Sequence, residues 1–108
     1  MAAIDEINEN NFENIVLKAD TLTVVDFYAQ WCGPCRKLAP VLEQLQNEFG
    51  SSVKFVKIDT DKNLNCAKEY GVSALPTLFI FKNGEIQEMM TGLVAKSAII
   101  SNIKKYLA

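Results

Sequence analysis

Apolar and polar positions along this chain follow two periods, and each change of period marks an element. The run "LTVVDFYA" (22–29) is too apolar for a half-exposed strand, so it is expected at the centre of a sheet. "VKFVKID" (53–59) is a second buried strand, and "LPTLFIF" (75–81) a third, which starts at a proline. "IQEMMT" (86–91) is a return strand, and "AAIDEI" (2–7) a weak candidate for a first one. Between the strands the period lengthens to that of a helix. Phe12, Ile15 and Val16 share one face of a helix that Asn8 would cap, running to Val16 or Lys18, with Ile7 and Phe12 at staple spacing around the cap. Leu38, Val41, Leu42, Leu45 and Phe49 form the buried stripe of a longer helix. Pro34 sits in its first turn, Pro40 inside it should bend it, and Gly50 ends it. Asp59 or Asp61 is expected to cap a short helix through Tyr70, stopped by Gly71. The last helix carries Ile99, Ile100, Ile103 and Leu107 inward, with Lys104 and Lys105 near its end, where the dipole favours cations.

The resulting order is β-α-β-α-β-α-β-β-α. Its alternating first half implies parallel strands joined by right-handed crossovers. Its second half holds a hairpin at "KNGE", where Asn83-Gly84 suits a type I′ turn. A mixed sheet with helices on both faces follows. In such sheets chemistry sits beyond the carboxyl ends of strands, where a helix begins. "WCGPC" (31–35) occupies one such junction.

Composition narrows the choice of chemistry. The 108 residues suit one domain, and 49% hydrophobic residues are enough for a core without disulfide staples. A net charge of −2 without basic clusters argues against nucleic acid as a partner. The longest apolar runs are far shorter than a membrane span. The N-terminus is acidic and polar, so no secretory signal is expected. There are three cysteines and no histidine. Cys32, Cys35 and Cys66 cannot complete the four Cys or His ligands of a usual structural zinc site, so no metal is expected. Cys32 and Cys35 are left as a redox couple or a permanent bridge, and Cys66 as a small core residue or a regulatory thiol.

Several stretches together resemble the thioredoxin family: "DFYAQWCGPC", Pro40, Lys57, "LPT" at Leu75–Thr77, "FKNGE" and Gly92. The resemblance runs the length of the chain without insertions. It implies one domain over residues 1–108, with a five-stranded mixed sheet and four helices. It further implies a general protein-disulfide reductase and dithiol electron carrier, recharged by a thioredoxin reductase, monomeric and cytoplasmic, with no bound cofactor. Tyr28 and Gln30 depart from the Trp and Glu common in bacterial members, and Ala95 from a capping Ser.

On this reading Cys32, at a helix N-terminus, is the attacking thiolate, exposed to substrate. Cys35, one turn further in and covered, resolves the mixed disulfide. Gly33 would let a partner's backbone approach, and Pro34 would pre-form the first turn. The resemblance also implies a cis Leu75–Pro76 bond that sets the Leu75 backbone beside Cys32. Gly92 and Leu93 would line the far side of the substrate groove and Trp31 its rim. Asp26 and Lys57 are misfits in apolar strands. From the residues alone they are a buried ion pair or a tuned acid. The resemblance implies that Asp26 moves the Cys35 proton and that Lys57 is its electrostatic neighbour. Two other readings compete: an oxidase or isomerase of an oxidising compartment, and a docking module that uses the groove without turnover.

Overall fold

A computed structural model describes residues 3–107. β1 (Asp5–Ile7) leads into a polar turn and a short, wide helical turn, Glu13–Leu17. β2 (Leu22–Tyr28), α1 (Gly33–Phe49), β3 (Val53–Asp59) and α2 (Leu64–Glu69) follow. β4 (Thr77–Lys82), β5 (Glu85–Thr91) and α3 (Lys96–Leu107) complete the chain. The five strands form one sheet in the order β1-β3-β2-β4-β5. β1, β3 and β2 run parallel, and β4 and β5 are antiparallel to their neighbours. The expected mixed sheet with four helices is therefore present, with β2 at its centre.

Strand alternation divides the core in two. Val24, Phe55, Leu78 and Ile80 face α1 and α3, which contribute Leu38, Leu42, Leu45, Ile99 and Ile103. Val25, Phe27, Val56, Ile58, Phe79 and Phe81 face the other way, onto Phe12, Val16, Cys66 and Ala67. Asp26 belongs to the first of these faces, because it alternates with Val25 and Phe27.

The hairpin turns at Asn83 (φ 52°) and Gly84 (φ 79°), the left-handed pair that a type I′ turn requires. A Cβ on Gly84 would stand 2.7 Å from the Leu17 carbonyl oxygen. Glycine here thus serves both the turn and the contact between hairpin and N-terminal helical turn.

Some boundaries and faces differ from expectation. Asn8 does not open a helix directly: its Oδ1 accepts the N–H groups of Asn10 and Asn11, at 2.9 and 3.1 Å, which closes a local turn. Helical backbone begins only at Phe12. The "NENN" segment satisfies its own backbone and delays the helix. Neither Asp59 nor Asp61 caps α2. The Asp59 carboxylate accepts the Asp61 N–H at 2.9 Å, and Asn63 stands at the N-cap. In α3 only Ile99 and Ile103 are buried, Ile100 is half-buried, and Leu107, in the last turn, is exposed. Ala2 of the first candidate strand lies outside the described residues.

Candidate active site

The carboxyl ends of the parallel neighbours β2 and β3 place two loops side by side. The Thr60 N–H and hydroxyl both donate to the Tyr28 carbonyl, at 2.9 and 3.1 Å, and lock the loops together. After Tyr28 the chain folds back on itself, with the Cys32 N–H bonded to the Ala29 carbonyl at 3.2 Å, and enters α1. Cys32 is the N-cap. Its backbone is extended (φ −82°, ψ 112°), and its Sγ accepts the Cys35 N–H at 3.2 Å. This is the geometry in which a Ser or Asp side chain usually caps a helix, with sulfur in place of oxygen. Pro34 occupies the first turn, where its missing N–H leaves no gap in the ladder.

Cys32 and Cys35 are joined in a disulfide, with Cα atoms 5.3 Å apart. Both residues are buried, at 3% and 4% exposure. The expected contrast between an exposed and a covered thiol is therefore absent from this oxidised form. Tyr28, Ala29 and Leu75 pack around the bridge and shield both. The contrast lies instead in what each cysteine meets. Cys32 receives the helix N–H. Cys35 lines a cleft of about 220 Å³, together with Glu6, Asp26, Tyr28, Gln30 and Lys57.

Asp26 is 4% exposed, and its Oδ1 has no hydrogen-bond partner among the described residues. Burial raises its carboxyl from the ordinary 3.8 to about 7, against the pull of the Lys57 ammonium. The buried carboxyl thus holds its proton near neutrality and faces the cleft that Cys35 also lines. Lys57 is its partner across the β2–β3 pair.

A second cleft, of about 290 Å³, lies on the other side of the helix start, between Trp31, Asp61, Leu64, Val72 and Leu75. The Trp31 ring is 67% exposed, and its Nε1 donates to Asp61 Oδ2 at 2.7 Å. The Leu75–Pro76 bond is cis. Pro76 is buried, and its carbonyl accepts the Gly92 N–H at 2.7 Å. Leu93 is exposed just beyond Gly92. A Cβ on Gly33 would meet open space. Trp31 and Leu75 thus share one cleft, Asp26, Lys57 and Cys35 share another, and Pro76 is bonded to Gly92. Glu6, Asp61 and Leu64 join these clefts without having been picked out in the sequence as site residues. Leu64 left a signal there, as an apolar residue at the start of a short polar helix. Glu6 and Asp61 left none. Among the described residues, no group of three or more Cys, Asp or Glu side chains is arranged to hold a metal ion. No helix among them is long and apolar enough to cross a membrane.

A bridged cysteine pair at a helix N-terminus, at the carboxyl edge of a mixed sheet, places the protein among the thiol–disulfide oxidoreductases. The family model described as Thioredoxin matches residues 3–105, and the chain belongs to the thioredoxin family. It is 41% identical over 107 residues to a Synechocystis protein named Thioredoxin, covering 99% of this chain and 100% of that one. A Porphyra purpurea protein named Thioredoxin is 42% identical over 106 residues, covering 98% and 99%. "Thioredoxin M-type, chloroplastic" of Chlamydomonas reinhardtii is 42% identical over 101 residues, covering 94% of this chain and 72% of that one.

Proposed function

We propose that this protein is a dithiol carrier that reduces disulfides in client proteins. The observation that carries this reading is the position of Cys32, which caps α1 with its sulfur on the Cys35 N–H. Once the bridge is reduced, the same N–H and the helix terminus favour a thiolate at Cys32 over a thiol. That thiolate attacks one sulfur of a client disulfide. A Cys32–client bond forms, the client's own bond breaks, and one client thiolate leaves. Cys35 then gives its proton to the Asp26 carboxylate and attacks Cys32. The Cys32–Cys35 bond forms and the second client thiolate departs. Two electrons have passed from the dithiol to the client. A thioredoxin reductase returns them.

Asp26 and Cys35 line the same cleft, and Lys57 moderates the carboxyl's affinity for the proton. On the opposite side Trp31, Gly33, Pro34, Leu75, Pro76, Gly92 and Leu93 form the groove for an extended client segment, whose backbone pairs with that of Leu75. The chain acts as one domain over residues 1–108, as a monomer, with no cofactor. The compartment proposed is the cytoplasm. Kinship alone does not choose it, because one relative above is named chloroplastic.

Insulin reduction driven by dithiothreitol tests the reading. The wild type should precipitate the insulin B chain, and Cys32→Ser should not. A Cys32→Ser/Cys35→Ser variant that retains full partner function would replace the carrier with a docking module. Cys35→Ser should capture clients as stable mixed disulfides from an extract.

A further inference from the structure

Glu6, Lys57 and Asp26 stand in one cross-strand row. Glu6 is opposite Lys57 across β1–β3, and Lys57 is opposite Asp26 across β3–β2. Cross-strand partners share a face and lie within side-chain reach. The row runs from an exposed carboxylate at the sheet edge to a buried one beneath α1, with a single cation between them. Such neighbours would be expected to close into ion pairs. Among the described residues, however, no ion pair within 4.0 Å involves Lys57.

Tyr28 accounts for this. Its hydroxyl donates to Glu6 Oε2 at 2.7 Å, and Gln30 Nε2 donates to the same hydroxyl at 3.4 Å. The Lys57 Nζ stands 5.3 Å from the centre of the Tyr28 ring. One side chain therefore holds the outer carboxylate with its tip and seats the ammonium over its face. Burial and the bond to Glu6 keep the phenol protonated, and so a donor, well beyond neutral pH.

We propose that Tyr28 is a positioning residue: it holds Glu6 away from Lys57, so that the ammonium is left to the Asp26 carboxyl beside Cys35. The consequence for turnover rests on the reading of Asp26 as the acceptor of the Cys35 proton. The groups around Asp26 and Tyr28 can be named from each element packed against them. β1 brings Glu6, β2 brings Tyr28, β3 brings Lys57 and Asp59, α1 brings Cys35 and Arg36, and β4 brings only Leu78. Arg36 is engaged elsewhere, with Nη1 on the Gln30 carbonyl at 2.9 Å, and Asp59 holds the Asp61 N–H. Lys57 is thus the cation left to respond.

Two substitutions move it in opposite directions. In Tyr28→Phe the ring remains, but Glu6 is released and its nearest cation is Lys57. The ammonium turns outward, and Asp26 holds its proton more tightly. In Glu6→Gln the competing charge is gone, and Asp26 holds its proton less tightly. In the double variant the tyrosine hydroxyl no longer matters.

The test is the titration of the Asp26 carboxyl carbon by NMR in the oxidised protein, where neither bridged cysteine ionises. Tyr28→Phe should raise the midpoint by roughly half a pH unit, Glu6→Gln should lower it, and the double variant should match Glu6→Gln. A Tyr28→Phe midpoint equal to wild type overturns the proposal. So does a rise that persists in the double variant. The pH profile of mixed-disulfide resolution, measured on the same proteins, separates the two readings. A carboxyl midpoint that moves as stated, with a rate profile that does not follow, upholds Tyr28 as the positioning residue and removes Asp26 as the proton acceptor.

Discussion

On one face of the sheet, Phe12, Phe27, Phe79, Phe81 and Tyr70 pack with ring centroids 5.1 to 6.4 Å apart. On the other, Glu6, Lys57 and Asp26 form a row that runs from the sheet edge into a mainly aliphatic core beneath α1. The same strands build both. Val25 and Phe27 of β2 enter the aromatic face, while Asp26 and Tyr28 between and after them enter the other. Alternation lets one strand hold a site rigidly with one set of residues and supply its chemistry with the next. The aromatic face gains from every ring it buries. The charged face gives up some of that gain, because a buried carboxyl without a full set of partners is costly.

The sharpest break between the faces is at the cysteines. Cys32→Ser should reduce client disulfide reduction to the uncatalysed background, while Cys35→Ser should still attack but no longer release. An insulin assay and a mixed-disulfide gel distinguish the two outcomes. A Cys35→Ser protein that turns over at the normal rate would mean that the two thiols have been assigned the wrong roles.

Substitution in the aromatic face should instead be felt in stability. Phe27 is fully buried against Phe12, Phe79 and Tyr70. Phe27→Ala should cost about 3–5 kcal/mol in denaturant unfolding, since it opens a cavity among rings that cannot collapse together. Activity per folded molecule should stay near that of wild type. A large loss of turnover in protein that is still folded would show that the aromatic face contributes to the chemistry directly.

Asp26→Ala should do the reverse, with a smaller effect on stability. The folded carboxyl holds its proton up to about pH 7, whereas the ordinary value is 3.8. Below the ordinary value both states are protonated and nothing is lost. As pH rises from there towards the folded value, the native state binds more protons than the unfolded one, so stability falls, and above it the loss is constant. The alanine variant escapes this loss. It should be more stable than wild type above about pH 7 by up to roughly 4 kcal/mol, less whatever its small cavity costs. Its mixed-disulfide resolution should slow, because the Cys35 proton has lost its acceptor. Denaturant melts across a pH series, paired with single-turnover kinetics, read both halves. A variant less stable at every pH would make Asp26 a structural partner of Lys57.

What the sequence makes legible follows from how far each signal reaches. The apolar runs and the Asn83-Gly84 turn are local, so the strands, their succession along the chain and the hairpin could be read directly. The "WCGPC" junction is local as well. The helix that Asn8 was expected to open went wrong because four neighbouring polar residues can bond to their own backbone as readily as they can cap. Leu107 fits the helical stripe but is exposed as the last residue of the helix. Glu6 and Asp61 could not be found, because their partners Tyr28 and Trp31 are 22 and 30 residues away. Only the register of β1 on β3, and the locking of two loops, brings them to the site.

Cys66 offers the smallest and most discriminating comparison, since it is a cysteine on the aromatic face. It is 5% exposed and packs in the same cluster as Phe12, Val16 and Ala67. Burial first, and then Glu69 and Glu9, push its thiol up to about 11. The reactive species is the thiolate, which at neutral pH is then on the order of one molecule in ten thousand. A reagent must wait both for an opening of the cluster and for ionisation. The oxidised native protein should therefore show no fast-labelling thiol, and one after denaturation. Cys66→Ala should leave insulin reduction unchanged and cost about 1 kcal/mol, because it removes one sulfur from a packed site. Fast labelling of the native protein would mean that this face opens far more readily than its packed rings suggest, and would make Cys66 a surface thiol open to regulation.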